Sequence, residues 1–89
     1  MESLLAMGKS RRRWLCMDCH RDTGRMREHY YIHDLIWKSV VDTPTGMLCV
    51  GCLETRLGRR LDLYDFTSAY INDRGNEMSD RLRSRLTPA

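Results

Sequence analysis

The residues with the clearest chemistry in this 89-residue chain are its four cysteines, which form two Cys-x-x-Cys pairs. Cysteine thiolate is a preferred ligand of Zn²⁺, and a structural zinc site takes four ligands in a tetrahedron. Two intervening residues allow both sulfurs of a pair to reach one metal ion. Two pairs therefore complete one coordination shell and leave no cysteine over. The pattern predicts one structural Zn²⁺ bound by Cys16, Cys19, Cys49 and Cys52.

Other cysteine chemistries fit this pattern less completely. Cys16-Met17-Asp18-Cys19-His20 matches the c-type haem attachment pattern, but haem would leave the second cysteine pair unexplained. A thioredoxin-like redox pair needs a βαβ context that the sequence lacks. Disulfides are disfavoured because no signal peptide is recognisable, and we expect a reducing, cytoplasmic compartment. Iron could replace zinc, because sulfur ligands alone do not choose between these two metals.

The three histidines, His20, His29 and His33, are the remaining candidates for metal binding or catalysis. We expect surface or capping roles for them, with His20 placed to hydrogen-bond a cysteine sulfur. A metal-dependent nuclease needs a general-base histidine and further metal ligands, and no histidine follows Cys52. Four cysteines also close the coordination shell, which is typical of a structural site. We therefore expect no enzymatic activity.

Charge is concentrated near the beginning of the chain. The formal net charge is +3, and residues 1–13 are predicted to be a flexible basic arm that runs into Trp14. Arginine binds phosphate through its planar guanidinium group, and aromatic rings stack on bases. The leading hypothesis is a nucleic-acid-binding module, with DNA as the expected partner. Its proposed contact surface consists of Arg11, Arg12, Arg13, Arg56, Arg59 and Arg60.

A simpler interpretation of these side chains stays open. Trp14 could cover the zinc site, and the arginines could be solvated or paired with Glu54 and Asp62. Arginine outnumbers lysine 13 to 2, a bias that a GC-rich genome would also produce. The arginine content therefore does not by itself demonstrate phosphate binding.

The alternative function is a protein–protein interaction module that docks on a host protein. Tyr64, Phe66, Tyr70 and Ile71 crowd a segment that we expect to be loosely attached to the zinc core. Tyrosine and arginine are enriched at interface hot spots. The same side chains could instead complete a small core or a homodimer, so the oligomeric state is left open.

The elements between the cysteines must bring the two pairs together. The 29 residues between the pairs, 20–48, are long enough to hold structure of their own. We expect a turn in which Gly24 takes a positive φ, a strand over residues 28–32, and a helix capped by Asp34. Residues 42–46 form a loop. A further helix begins inside the second pair, with Leu53, Leu57 and Leu61 on one face.

Two shorter helices are predicted in the last third of the chain. Asp62 caps one of them, and its apolar positions are Leu63, Phe66 and Tyr70. Ser79 caps the last helix, in which Leu82 and Leu86 are apolar. The predicted organisation is a basic arm over 1–13, a zinc-binding domain over 14–72, and a C-terminal helix and tail over 73–89.

A cysteine pair at a helix N-terminus distinguishes between two zinc folds. It favours a treble-clef arrangement, because the positive end of the helix dipole suits bound thiolates, whereas a zinc ribbon places both pairs on β-turns. A chain of this length has room for one domain and is typically stapled by a metal or disulfides. The predicted fold class is α+β and helix-rich: a small zinc-stabilised treble-clef-like domain with a short β-hairpin and three to four helices.

Three groups of residues, spread over positions 14–66, also resemble small uncharacterised zinc-binding proteins of actinobacteria-infecting phages (the mycobacteriophage type). The resemblance implies a zinc-finger-like fold, a phage origin and hence the host-cell cytoplasm, and it implies no established activity. The residues that carry it are Cys16-x-x-Cys19, Tyr30…His33-Asp34…Trp37, and Gly46-Met47-Leu48-Cys49-x-Gly51-Cys52-Leu53-Glu54-x-Arg56-x-Gly58-Arg59-Arg60.

Overall fold

The computed structural model describes residues 14–43 and 46–88, and this part of the chain is helix-rich, as predicted. The predicted basic arm, with Arg11, Arg12 and Arg13, lies outside the described residues. Within them there are four α-helices and two short 3₁₀ helices. The α-helices are α1 (Thr23–Met26), α2 (Asp34–Val40), α3 (Val50–Leu57) and α4 (Asp80–Leu86), and the 3₁₀ helices are Leu63–Asp65 and Tyr70–Asn72.

Strand pairing in the described residues is limited to isolated bridges, so the predicted β-hairpin is not seen there as a ladder. The bridges join Leu15 to Asp22, Cys16 to Met47 and Ile32 to Phe66. Residues 28–32 lie outside the helices, and the Tyr31 backbone is bound by the Asn72 side chain in addition to the Thr67 N–H. The Asn72 amide accepts a hydrogen bond from the Tyr31 N–H at 2.9 Å and donates one to the Tyr31 carbonyl at 2.7 Å. One side chain thus satisfies both backbone groups.

Two predicted helices are confirmed, with one difference in capping. Helix α2 begins at Asp34, but its N-cap is His33, and Asp34 lies in the first turn, where a carboxylate suits the helix dipole. Helix α4 is capped as predicted, because the Ser79 hydroxyl accepts a hydrogen bond from the Leu82 N–H at 3.0 Å.

The helix that begins in the second cysteine pair is shorter than its leucine spacing suggested. Helix α3 ends at Leu57, and Gly58 follows in the left-handed conformation with φ 73°. Glycine adopts this conformation without a Cβ clash, so it is a common helix stop. Leu61 therefore lies beyond the helix, although it is buried, as Leu53 is.

The predicted helix after Asp62 is wrong. Asp62 does cap a helical turn, but that turn is a 3₁₀ helix of three residues, closed by a capping box with Asp65. The Asp65 carboxylate accepts a hydrogen bond from the Asp62 N–H at 2.8 Å, which closes the turn locally. Phe66 is buried, whereas Tyr70 is exposed, so they do not form one apolar face.

A single hydrophobic core joins the cysteines to the C-terminal helix. Leu82 and Leu86 of α4 are buried in the same cluster as Cys16, Cys49 and Leu53. The expectation that the helical segment after residue 60 is loosely attached is therefore wrong, because Phe66 and α4 both supply core residues. No helix among the described residues combines the length and the apolar character that crossing a membrane requires.

Candidate metal centre

The structure brings together the four cysteines that the sequence selected. One sulfur from each of them lies within 4.8 Å of all the others, and the Sγ atoms of Cys19 and Cys49 are 3.9 Å apart. A tetrahedron with Zn–S bonds of about 2.3 Å has sulfur–sulfur edges of about 3.8 Å. Residues from both pairs therefore fit a single four-coordinate metal ion. The group consists of Cys16, Cys19, Cys49 and Cys52.

The first cysteine pair lies in a tight turn, or knuckle, that closes on itself. The Cys16 N–H donates to the Arg21 carbonyl at 2.8 Å, and the His20 N–H donates to the Cys16 carbonyl at 2.9 Å. His20 has φ 65°, so it is the residue that reverses the chain. The positive φ predicted for Gly24 is wrong: Gly24 lies inside α1, while His20 closes the knuckle.

The second pair is mounted on the N-terminus of α3. Cys49 is the N-cap of this helix, and its carbonyl accepts the first helical hydrogen bond from the Leu53 N–H at 3.0 Å. Cys52 lies in the first turn. The two pairs are joined through the backbone, because the Met17 N–H donates to the Met47 carbonyl at 2.8 Å. Backbone hydrogen bonds therefore position both cysteine pairs without a contribution from a metal ion.

The electrostatics of the cluster favour a bound cation. Burial disfavours the Cys16 thiolate, but backbone N–H groups of Cys19, Cys49 and Asp18 outweigh it and lower the pKa of Cys16 to about 6. Burial raises the pKa of Cys49 and of Cys52, and for Cys52 the neighbouring sulfurs add to the rise. Four thiolates crowded together without a cation are thus unfavourable, and a divalent ion supplies the missing positive charge.

The centre is buried on one side and open on the other. Cys16 and Cys49 are buried, Cys52 is half-buried and Cys19 is exposed. None of the three histidines belongs to the metal-ligand group found in the described residues. His29 instead stacks on Trp14, with ring centroids 4.4 Å apart, and its Nε2 lies 3.2 Å from the Thr23 hydroxyl. Burial lowers the pKa of His29.

Glu28 is a buried residue next to the centre that the sequence did not single out. Its carboxylate accepts hydrogen bonds from the Val50 N–H at 3.1 Å and from the Ser79 hydroxyl at 2.6 Å. The Arg81 guanidinium binds both of its oxygens, at 2.6 and 2.9 Å. Burial acts against ionisation, but these donors lower the pKa of Glu28. Nothing in the sequence pattern pairs Glu28 with an arginine 53 residues later.

Two of the arginines predicted to contact nucleic acid bind carboxylates of the same chain. Arg56 donates to both oxygens of Asp18, at 2.6 and 2.9 Å, and so links α3 to the first knuckle. Arg59 donates to both oxygens of Asp65, at 2.8 and 2.9 Å. These partners differ from Glu54 and Asp62, which the sequence suggested.

The other predicted contacts are placed differently. Arg60 is exposed and makes no ion pair within 4 Å to the residues that the structure describes. Glu54 is bound instead by Arg85 of α4, at 2.8 and 2.9 Å. Trp14 keeps 44% of its surface exposed while it stacks on His29, so one ring face is covered.

No protein-family model, curated protein or solved structure matches this chain. The four cysteine sulfurs lie within 4.8 Å of one another, and backbone hydrogen bonds position the two pairs. Residues of α4 belong to the same hydrophobic core as Cys49. Such an arrangement can hold one metal ion with a closed set of protein ligands.

Proposed function

We propose that this protein is a non-catalytic zinc-binding module, in which one structural Zn²⁺ holds together a surface that binds another macromolecule. The observation that carries the metal assignment is the convergence of four sulfurs within 4.8 Å. All four positions are protein thiols, so the shell has no open position for a substrate or a water molecule. Zinc is favoured over calcium or magnesium because thiolate is a soft ligand.

The way the two pairs are presented supports a treble-clef type of centre. The first pair lies in a knuckle, and the second lies at the N-terminus of a helix. A zinc ribbon would place both pairs on β-turns, whereas here the second pair lies at the beginning of α3. The positive end of the α3 dipole lies at Cys49 and Cys52, where it stabilises negative sulfur.

Metal content and cobalt substitution test the centre directly. We expect native mass spectrometry of the purified chain to give one zinc per chain. We expect the cobalt form to show the intense sulfur-to-metal absorption of tetrahedral thiolate coordination. A chain that folds fully in chelator, with no bound metal, would contradict the proposal. A protein purified with iron would keep the four ligands and change only the metal.

A protein partner is the binding function that the described surface supports best. Tyr64 and Tyr70 are 84% and 81% exposed, and Tyr31 and Leu35 are also exposed. Tyrosine is enriched at the hot spots of protein interfaces. Meanwhile Arg56 and Arg59 are engaged by carboxylates.

Tyrosine substitution in a capture experiment tests this function. We expect a protein retained from a host lysate by the zinc-loaded chain to be lost with the double variant Tyr64→Ser and Tyr70→Ser. The matched control is Thr55→Ser, an exposed substitution on α3. Equal retention by the double variant and the control would count against a tyrosine-mediated surface. Capture of the chain by itself alone would instead indicate a homodimer.

Nucleic acid is the second candidate, and it rests on charge. The positive residues Arg11, Arg12 and Arg13 precede Trp14, and Arg60 is exposed. Contacts to phosphate release counterions, so such binding weakens steeply with salt. We expect fluorescence anisotropy with random duplex and single-stranded DNA to show this salt dependence, and to weaken when the three arm arginines become alanine. No binding at low salt would remove this candidate.

A further inference from the structure

Arg81 in α4 uses two of its three guanidinium nitrogens to bind Glu28. Its Nε donates to Glu28 Oε2 at 2.9 Å, and its Nη2 donates to Oε1 at 2.6 Å. This two-pronged contact fixes the plane of the guanidinium group. The side chain of Glu28 is 2% exposed, so the plane is anchored to a rigid, buried group. The remaining nitrogen, Nη1, is then held at a defined place.

That place is the first turn of α3. A Cβ added at Gly51 would lie 2.7 Å from Arg81 Nη1, which is closer than two such atoms can come. Glycine between the two cysteines of the second pair therefore makes room for the guanidinium. Glu28 raises the pKa of Arg81, because its carboxylate accepts two hydrogen bonds from the guanidinium group and carries the opposite charge. Arg81 thus lies against the metal-ligand turn as well as against Glu28.

A cation has a clear electrostatic role at this position. Four thiolates and one divalent ion sum to −4 + 2 = −2, and Cys16 and Cys49 are both buried. Negative charge removed from water is costly unless a positive or hydrogen-bonding group lies close to it. Arg81 supplies a positive charge beside the turn that carries Cys49 and Cys52, and Glu28 fixes the adjacent Val50 N–H. Groups outside the ligand shell tune metal affinity although they do not touch the metal.

We propose that Arg81 is a positioning residue of the metal centre: its guanidinium group, fixed by Glu28, lies against the ligand turn at Gly51 and so links metal affinity to the docking of α4. This inference rests on the proposed zinc site. Its chemical content is a positive charge beside the turn that carries Cys49 and Cys52, supplied by the last helix of the chain. It assigns to the C-terminal segment a part in the metal site that the cysteine spacing does not reveal.

The chain offers a matched control on the same helix. Arg85 binds Glu54 with the same geometry, at 2.8 and 2.9 Å, but its Nη1 contacts the Ser84 hydroxyl at 2.9 Å. The variants Arg81→Gln and Arg85→Gln therefore each remove one arginine–glutamate pair, and only Arg81→Gln removes a group next to a cysteine. We expect Arg81→Gln to weaken zinc affinity on the order of tenfold in competition with a chromophoric chelator. Arg85→Gln should leave it unchanged.

Two further readouts separate ligand tuning from stability. In the cobalt-loaded chain, Arg81→Gln should shift the sulfur-to-metal absorption band and Arg85→Gln should not, because only the former changes the electron density on a ligand. Gly51→Ala should shift the same band with Arg81 still present, since the new methyl group displaces Nη1. This second variant keeps the test valid if Arg81→Gln fails to fold.

The possible results are distinct. Equal effects of Arg81→Gln and Arg85→Gln on zinc affinity, with no band shift in Arg81→Gln or Gly51→Ala, would overturn the proposal and leave Arg81 with a purely structural role. A wild-type chain that lacks the tetrahedral thiolate spectrum would instead overturn the metal centre itself. The unsubstituted chain thus reports on the proposed function, and the variants report on Arg81.

Discussion

Two regions of this molecule hold distant parts of the chain together by different chemistry. The candidate metal centre brings residues 16–19 and residues 49–52 together, with the four cysteine sulfurs within 4.8 Å of one another. The C-terminal helix α4 joins residues 28 and 54 through Arg81 and Arg85, each bound to a glutamate. Both regions contribute to the same core. Metal coordination is strong enough to decide folding in a small domain, whereas one ion pair adds little beyond the cost of desolvating its charges.

The two arginine–glutamate pairs also differ from each other. The Glu28 side chain is 2% exposed and that of Glu54 is 14% exposed. The Glu28 carboxylate also accepts hydrogen bonds from the hydroxyl of Ser79, the N-cap of α4, and from the N–H of Val50, the first residue of α3. The Glu28 carboxylate therefore connects α3, which carries the second cysteine pair, to α4. Substitutions in the two regions should have effects of clearly different size.

The largest effect is expected from loss of a ligand. Cys49→Ser should unfold the domain, because metal-binding energy is folding energy in such sites, on the order of 10 kcal/mol. Circular dichroism and thermal melting of the variant should match those of the wild-type chain in excess chelator. Native helicity and an unchanged melting temperature in Cys49→Ser would show that the metal does not hold the fold.

The next effect is expected where the two regions meet. Glu28→Gln leaves Arg81 without its charged partner, and breaking a buried pair costs about 3–5 kcal/mol. We expect the lower end of that range in urea unfolding at fixed zinc, because the Arg81 side chain keeps 37% of its surface exposed. Glu77→Gln is the matched control, since Glu77 pairs with Arg27 at the exposed surface. Equal losses in both variants would remove the special position of Glu28.

Apolar contacts of α4 should matter nearly as much as its ion pairs. Leu82 is fully buried, so Leu82→Ala should destabilise the protein by about 2–5 kcal/mol through lost burial and a cavity. Leu35 is 84% exposed, and Leu35→Ala should change stability by less than about 0.5 kcal/mol. Urea unfolding of the two zinc-loaded variants measures this difference. A tolerated Leu82→Ala would mean that α4 is held mainly by its charges.

The smallest effect is expected at the part-buried pair of Arg59 and Asp65. Arg59→Gln should cost about 1 kcal/mol or less, because the Arg59 side chain is 46% exposed to screening solvent and the buried Asp65 keeps its hydrogen bond from the Asp62 N–H. A clearer signal should come from titration. Hydrogen bonds from Arg59 lower the pKa of Asp65 below its ordinary value of 3.8, so Arg59→Gln should raise that pKa.

The sign of the pH dependence follows from this lowered pKa. The stabilisation from ionised Asp65 is complete above its unfolded pKa of 3.8 and is lost as the pH falls through the lower folded value. Carbon-13 NMR of the Asp65 carboxyl group in the zinc-loaded protein measures the shift. An Asp65 titration that Arg59→Gln leaves unmoved would show that backbone donors, and not Arg59, hold the carboxylate ionised.

Local chemistry explains which elements could be predicted. Ser79 caps α4 and Asp62 caps a helical turn, because a short polar side chain satisfies a nearby N–H without help from the rest of the fold. Residues 62–72 do not form the predicted helix, since the Asp65 side chain closes a short turn locally at the Asp62 N–H and the Asn72 side chain binds the backbone of Tyr31. The local capping box and the tertiary hydrogen bonds of Asn72 override the helical spacing of apolar residues.

By itself, the sequence determined which residues are the candidate metal ligands, because two Cys-x-x-Cys pairs with no cysteine left over have few chemical uses. It also determined the helix that follows Cys49 and the cap of α4. Only the tertiary structure decided that Glu28 meets Arg81 and that Arg56 binds Asp18. The physical reason is that ligand spacing and capping act over a few residues, whereas the partner of a charge depends on where the whole chain places it.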